Sequence, residues 1–411
     1  MGLHQGATRG VVGCMSASMA TQVPDYIRSL VPYVPGKPIE ETQREFKIRK
    51  VIKLASNENP LGPSPKALQV IRKGLGDLHR YPDAASFKLK AALSTHLGVS
   101  PELFMIGNGS NEIIDAIIRT FSVPGEAMVT SKAAFIAYKI SAQAHGIQTL
   151  ETPLTADLRF DLNAMAELVE KNSNVRTVFI ANPNNPTGTY VKDLELRTFL
   201  QRMSQVRGGN VLVVLDYAYW EYVTVGDLPD PVSLFKEFQN VVVLRTFSKI
   251  YGLAGLRVGY AIGSAELISL MERVRNPFNV NSLGQAAALA ALKDTDFVKQ
   301  ARKVNKEGMK FWENTFEELM IPYWKSQGNF ILVDVSSPSG GKTGLEIYQE
   351  CLKKGVIFRP VANYGLSHAL RISIGTAAEN RLAAKVLSAE LGRAPSAVLK
   401  SGKAAKSKRK T

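Results

Sequence analysis

Five short apolar runs recur through the first two-thirds of the chain, and they constrain its fold more than any other feature. Leu103–Ile106, Ala127–Val129, Thr177–Ile180, Val211–Leu215 and Val241–Leu244 are each too short for a helix and nearly continuous in hydrophobicity rather than alternating. Runs of that kind are strands covered on both faces. Between them lie stretches such as Ile113–Phe121 and Leu194–Met203, whose apolar residues recur at helical spacing. Strand and helix patterns alternating in this way predict an α/β fold, with a mostly parallel central sheet flanked by helices. No internal repeat is visible. From about Gly284 the pattern changes to long helical segments, then Phe330–Val335, a helix around Gly344–Lys354 and short strands near Val356 and Leu370–Ile374. That shift predicts a smaller α+β domain over 284–393, a large domain over 61–283 and an N-terminal arm over 26–60.

Composition excludes several classes. At 411 residues, 45% hydrophobic and 21% charged, the chain supports a full core. No stretch approaches the ~20 apolar residues of a membrane span. Cys14 and Cys351 are the only cysteines, so no disulfide framework exists, which points to a reducing compartment, the cytoplasm. The net charge of +15 invites a nucleic-acid reading, but Lys400, Lys403, Lys406, Lys408, Arg409 and Lys410 crowd into the last eighteen residues with no acid among them. Residues 394–411 are therefore expected to be a disordered, solvated basic tail, and nucleic acid is not an expected partner. Residues 1–25 are expected to be a disordered leader. Arg9 breaks any apolar run ahead of Val11–Cys14, and Met15 or Met19 could be the true start.

In open parallel sheets ligands bind beyond the carboxyl ends of the strands, so the residues after each run matter most. Leu103–Ile106 is followed by Gly107-Asn108-Gly109-Ser110-Asn111-Glu112. Glycines before a capping residue leave free backbone N–H groups at a helix start, which suits an anion, although an ordinary turn is built the same way. Thr177–Ile180 leads into Asn182-Pro183-Asn184-Asn185-Pro186-Thr187-Gly188, an irregular loop that presents asparagines. Val211–Leu215 runs straight into Asp216, a carboxylate that is costly to bury unless a cation meets it; a helix cap or a structural ion pair are the alternatives. Val241–Leu244 precedes Thr246-Phe247-Ser248-Lys249, with Gly252-Leu253-Ala254-Gly255-Leu256-Arg257 close behind.

The order Asn-Pro-x-x-Pro-Thr-Gly, then Asp-x-x-Tyr, then Thr-x-Ser-Lys-x-x-Gly-Leu-x-Gly-x-Arg resembles the fold-type I aminotransferases. The resemblance implies pyridoxal 5'-phosphate as cofactor, carried by Lys249 as a Schiff base, with Lys249 also serving as proton shuttle. It implies that Asp216 pairs with the pyridine nitrogen and that Asn185 and Tyr219 bond the phenolic oxygen. Gly109, Ser110, Asn111, Thr246, Ser248 and Arg257 would hold the phosphate, and Phe135 would stack on the ring. No metal ligand set is implied.

Within that family, Leu30–Glu41, Leu54–Pro65, Arg80–Asp83, Gly355–Pro360, Tyr364–Leu366 and Arg371–Gly375 are similar to the histidinol-phosphate aminotransferases, and the likeness runs from Tyr26 to Leu391. It implies exchange of an amino group between glutamate/2-oxoglutarate and histidinol phosphate/imidazole acetol phosphate, in histidine biosynthesis. Arg359 and Arg371 would bind the anionic end of the substrate with help from Tyr33. Tyr81 would reach in from a second subunit, making a homodimer with shared active sites. Two positions depart from the pattern: Tyr217 stands where the family usually has Glu, and Ala133-Ala134 stand where Pro-Thr usually precedes the stacking aromatic. Rival readings are an aromatic amino-acid aminotransferase, a phosphothreonine decarboxylase, and a cofactor-sensing regulator, for which the region before Tyr26 is too short to supply a winged-helix module.

Overall fold

A parallel strand whose neighbours and both faces are covered must be apolar along its length, and the computed structural model, which describes residues 22–393, shows such strands in the middle of its largest sheet. Thirteen strands occur among the described residues: β1 (Ile52–Lys53), β2 (Phe104–Gly107), β3 (Ala127–Ser131), β4 (Gln148–Thr152), β5 (Val175–Ala181), β6 (Leu212–Asp216), β7 (Val241–Thr246), β8 (Gly259–Ile262), β9 (Tyr323–Trp324), β10 (Phe330–Asp334), β11 (Val356–Ile357), β12 (Arg359–Pro360) and β13 (Ala369–Ser373). Seven of them form one sheet in the order β2-β8-β7-β6-β5-β3-β4. Every pairing is parallel except the two made by β8, which runs antiparallel to both β2 and β7.

The five apolar runs become β2, β3, β5, β6 and β7, each within about two residues of the expected bounds. The sequence reading did not find β4 or β8. At the sheet edge, Gln148–Thr152 is mostly half-exposed and correspondingly polar, so it carries no apolar run. Gly259–Ile262 follows β7 with only a single 3-10 turn, Ala254–Leu256, and no α-helix between them, because an antiparallel strand needs no crossover. Helices expected at Ile113–Phe121 and Leu194–Met203 span Ser110–Phe121 and Asp193–Gln205.

Register decides what meets at the sheet's edge. Ala181 lies opposite Asp216, and Asp216 opposite Leu244, so β5, β6 and β7 finish together. The reversed β8 brings its first residue to the same edge, where Gly259 is opposite both Thr246 and Gly107. The approach there is close: a Cβ on Gly259 would stand 2.6 Å from the backbone nitrogen of Ser110. Glycine is what lets the start of helix Ser110–Phe121 lie against the end of β7.

A second, antiparallel sheet has the order β12-β13-β10-β9, and β1 pairs with β11 in parallel, which ties the segment before Leu54 to this part of the molecule. Its core is separate, built on Trp312, Phe316, Ile331, Val333, Phe358, Leu370 and Ile372. The helix Thr295–Leu319 bridges the two cores: Ala301 belongs to the first, and Met309, Trp312, Phe316 and Leu319 to the second. Helix Ser282–Leu292 packs its alanines into the first core, so the changeover falls later than the shift in sequence pattern at Gly284. The leader and basic tail expected at 1–25 and 394–411 lie largely outside the described residues. No helix among the described residues is long and apolar enough to cross a membrane.

Trp312 is fully buried, stacks obliquely on Phe316 at 5.3 Å between ring centroids, and donates its indole N–H to Asn380 Oδ1 at 3.1 Å. Removing a ring of this size from a closed core costs about 3–5 kcal/mol. Trp312→Ala is expected to lose that much in urea-induced unfolding followed by circular dichroism. A loss below about 1 kcal/mol would mean that the second core is not closed around this side chain.

Candidate active site

The C-terminal edge of the large sheet opens into a cleft. Ser110, Asn111, Phe135, Asn185, Asp216, Tyr219, Thr246, Ser248, Lys249 and Arg257 line it, together with Tyr33, Arg359 and Arg371 from the arm and the second sheet. Residues spread over more than three hundred positions thus meet in one place. Gly109 stands beside the cleft as N-cap of Ser110–Phe121 at φ +75°, and a Cβ there would overlap the Arg257 guanidinium. Tyr81 is elsewhere: 82% exposed, with its ring stacked on Phe278 at 4.6 Å, it is not among the residues lining this chain's own cleft.

Each wall has a local cause. The 182–188 loop is held by its own side chains. Asn182 exchanges hydrogen bonds with the backbone of Val191, and Asn184 donates to Ala133 O at 3.1 Å and to Thr187 Oγ1 at 2.9 Å. That leaves Asn185 to face the cleft. After β7, the Ser248 N–H donates to Thr246 Oγ1 at 3.1 Å, a local turn that aims both hydroxyls and delivers Lys249 next. Arg257 turns back through a left-handed residue, φ +55°, and donates to Ser248 Oγ at 3.3 Å and to Ala254 O at 3.2 Å.

Electrostatics follow from burial. Asp216 is buried; its Oδ2 accepts from Tyr138 Oη at 2.8 Å and its Oδ1 from the Ala218 N–H at 3.1 Å. Burial pushes its pKa up, and the two donors and the charge of Lys249 oppose that shift. Lys249 Nζ donates to Ser56 O at 3.4 Å and sits 5.6 Å from the centre of the Tyr219 ring. Its pKa is pushed down to about 8, chiefly by burial and then by the positive charge of Arg371. Tyr219 is raised to about 12, again chiefly by burial.

Arg359 and Arg371 lie directly opposite one another on β12 and β13. Arg371 is buried; it donates to Asn185 Oδ1 and to Ala55 O, and its Nε has no partner. Arg359 donates to Val34 O at 3.0 Å and lies 5.9 Å from the centre of the Tyr33 ring. Like charges facing one another across a strand pair repel, so the arrangement suits an anion between them.

The donor set fits pyridoxal 5'-phosphate. Helix Ser110–Phe121 starts without a side-chain cap, beside Ser248, Thr246 and Arg257, a donor set of the kind a phosphate needs. A buried carboxylate already held by two donors matches a protonated ring nitrogen, and an amine with a lowered pKa matches an aldehyde.

Two residues at the site escaped the sequence reading. Tyr138, three positions after Phe135 and edge-on to it at 5.6 Å, holds Asp216. Asn57, at φ +56°, donates from Nδ2 to Tyr219 Oη at 2.9 Å. The stretch Ser56-Asn57-Glu58-Asn59 carried a hint, since asparagine is among the non-glycine residues that best tolerate a left-handed backbone. The two departures from the family pattern are accommodated locally. Ala133 adopts φ +54° and still delivers Phe135 to the cleft, while Tyr217 is fully buried against the edge of Trp220 at 5.7 Å and does not line the cleft.

Comparison with known proteins agrees with this geometry. The model of the family "Aminotransferase class I and II" matches residues 49–387. A histidinol-phosphate aminotransferase of Anaeromyxobacter sp. is 45% identical over 370 residues, covering 90% of this chain and 99% of that protein. Histidinol-phosphate aminotransferase 2 of Methylococcus capsulatus is 45% identical over 367 residues, covering 88% and 96%. Among solved structures, the histidinol-phosphate aminotransferase of Sinorhizobium meliloti in complex with pyridoxal-5'-phosphate superposes with a TM-score of 0.81 at 29% identity, covering 92% of this chain and 99% of that one. The aspartate aminotransferase of Thermus thermophilus shares the fold, with a TM-score of 0.77 at 17% identity. The chain therefore belongs to the class I and II aminotransferase family.

Proposed function

We propose that this protein transfers an amino group between histidinol phosphate and 2-oxoglutarate, giving imidazole acetol phosphate and glutamate, in histidine biosynthesis. The observation that carries the proposal is the opposed pair Arg359 and Arg371 in the cleft that also holds Lys249 and Asp216. One pocket must take a phosphate in one half-reaction and a carboxylate in the other. Two guanidiniums from different strands serve both, because each offers a planar donor fork to either anion.

Pyridoxal 5'-phosphate, when bound, supplies a ring that takes up charge as the substrate Cα loses its proton. The residues of the chain do the rest. Lys249 would hold the cofactor covalently and, once displaced by substrate, would take the proton from the substrate Cα and return it to C4′ of the cofactor. A positioned base of this kind contributes about 10²–10⁴-fold. Asp216 would keep the ring nitrogen protonated, and Tyr138 keeps that carboxylate in place. Ser110, Asn111, Thr246, Ser248 and Arg257 with the backbone at Gly109 would grip the phosphate, Asn185 and Tyr219 the phenolic oxygen, and Phe135 the ring face. Tyr33, beside Arg359, would help to enclose the substrate.

The two cores correspond in this reading to a large cofactor-binding domain and a small domain joined through Thr295–Leu319, with the 26–60 arm serving the small domain and the subunit contact. Two copies would form a homodimer, each lending Tyr81 to its partner's cleft. The exposed side chains of Leu75, Leu78, Tyr81 and Phe87, crowded into one short segment, support that contact. The reaction is assigned to the cytoplasm.

Four outcomes are expected. Lys249→Ala loses transamination of histidinol phosphate by at least about a thousandfold while still binding cofactor, and near-normal turnover would end this mechanism. Arg371→Ala raises KM for histidinol phosphate and 2-oxoglutarate alike, each by about tenfold or more, because both anions lose the same fork. If phenylalanine is turned over well and histidinol phosphate poorly, the substrate assignment fails and an aromatic amino-acid aminotransferase replaces it. Cofactor uptake by the cofactor-free protein needs the neutral Lys249 amine, which is the form present above its pKa. The uptake rate is therefore expected to climb with pH up to about 8 and flatten beyond it. A climb continuing towards the ordinary lysine range would show that burial does not lower this amine.

A further inference from the structure

Asn57 is the point where three parts of the molecule touch, and all of its polar atoms are used. Its backbone N–H donates to Ser373 Oγ at 2.8 Å, its backbone carbonyl accepts from Asn329 Nδ2 at 2.9 Å, its Oδ1 accepts from Ser373 Oγ–H at 2.9 Å, and its Nδ2 donates to Tyr219 Oη at 2.9 Å. Asn57, Ser373 and Tyr219 are all buried, at 1%, 3% and 4% exposure. Ser373 lies two residues beyond Arg371 on β13, and Tyr219 follows β6, so Asn57 links the substrate-binding strand to the cofactor edge of the large sheet.

The direction of each bond in this chain can be worked out from the backbone. A main-chain N–H can only donate, so Ser373 Oγ accepts from Asn57 and keeps its own hydrogen for another acceptor. The acceptor at hand is Asn57 Oδ1. The reverse placement of the amide would present NH₂ to Ser373 and leave that buried O–H without its acceptor, at the cost of an unmade hydrogen bond. With Oδ1 fixed on Ser373, Nδ2 must face Tyr219, and an amide nitrogen is a donor only. Tyr219 Oη therefore accepts from Asn57, and its hydrogen must go elsewhere. Its phenol stays protonated, since burial raises its pKa to about 12.

We propose that Asn57 is a positioning residue that fixes the polarity of Tyr219, directing the tyrosine hydroxyl proton into the cleft as a hydrogen-bond donor to the phenolic oxygen of the cofactor. The inference rests on the reading of Tyr219 as a cofactor contact. It adds that the donor role of Tyr219 is imposed from outside the large sheet, through Ser373 and the segment between Leu54 and Asn59. The charges that face Tyr219 are Arg371, Asp216 and Lys249, and none of them hydrogen-bonds its oxygen.

Asn57→Asp tests this directly. The carboxylate keeps an acceptor for Ser373 but can no longer donate to Tyr219, so the tyrosine turns its proton to residue 57. The bound cofactor then loses a donor to its phenolate, and the pH midpoint of its visible absorption band rises by about one unit. Introduced charge alone would also raise that midpoint, so the substitution is repeated in Tyr219→Phe. The expected result is that Tyr219→Phe itself raises the midpoint and that adding Asn57→Asp to it produces less than about a third of the shift seen in wild type. An equal shift in both backgrounds, or none in either, overturns the role given to Asn57. If Tyr219→Phe alone leaves the band unmoved, the cofactor contact of Tyr219 is what fails, and the proposal goes with it. Should Asn57→Asp not fold, Ser373→Ala carries the same comparison, because it frees the amide to reverse. Its rise in midpoint must likewise vanish in Tyr219→Phe.

Discussion

The central strands of the large sheet are paired on both sides and buried on both faces, and that enclosure governs what the molecule can do. Along β5, β6 and β7 nearly all side chains are buried, so polar chemistry has room only where the strands stop. Parallel register makes them stop together. Asp216, Thr246 and the asparagine loop after Ala181 therefore reach one edge without any long-range attraction between them. The single reversed strand, β8, completes the arrangement by returning Arg257 and Gly259 to the same edge against the glycines before Ser110.

Charge gives this edge its selectivity. Lys249, Arg257, Arg359 and Arg371 line the cleft, and Asp216 is the acid set against them. The balance favours ligands that bring more than one negative charge. It also keeps the lysine amine partly neutral near physiological pH, since burial and Arg371 both work against its protonation. In the proposed reaction the same guanidinium would recruit an anionic substrate and help to ready the amine that acts on it. Arg371 is fixed for both tasks by Asn185 and the Ala55 carbonyl, one from the large sheet and one from the arm, so its position depends on the whole assembly.

Much of this was legible in the sequence, for identifiable reasons. Doubly buried strands announce themselves as apolar runs, and the residues after them were found because strand ends are where parallel sheets present polar groups. Lys249, Asp216, Asn185 and Arg257 all lie in such positions, and the cleft gathers them. What escaped notice depended on context. The edge strand Gln148–Thr152 carries no doubly buried pattern, and Gly259–Ile262, though buried throughout, is only four residues long and begins with glycine, so it does not stand out as an apolar run. Tyr138 reads as one more core aromatic until its hydroxyl is seen on Asp216. Asn57 sits in a quoted motif, yet its bond to Tyr219 spans 162 positions and depends on a left-handed backbone angle that no local spacing reveals. Tyr81 is the reverse case: its motif pointed to a cleft, yet within this chain its exposed ring packs on Phe278 instead.

The central claim is that Lys249 is the residue that carries pyridoxal 5'-phosphate, and chemical trapping tests it most directly. The protein loaded with cofactor would be reduced with borohydride, digested and analysed by mass spectrometry. The account predicts one stoichiometric phosphopyridoxyl group, on the peptide containing Thr246-Phe247-Ser248-Lys249, and none on that peptide in Lys249→Ala. A label spread over surface lysines, or concentrated on a different residue of the cleft, would contradict it.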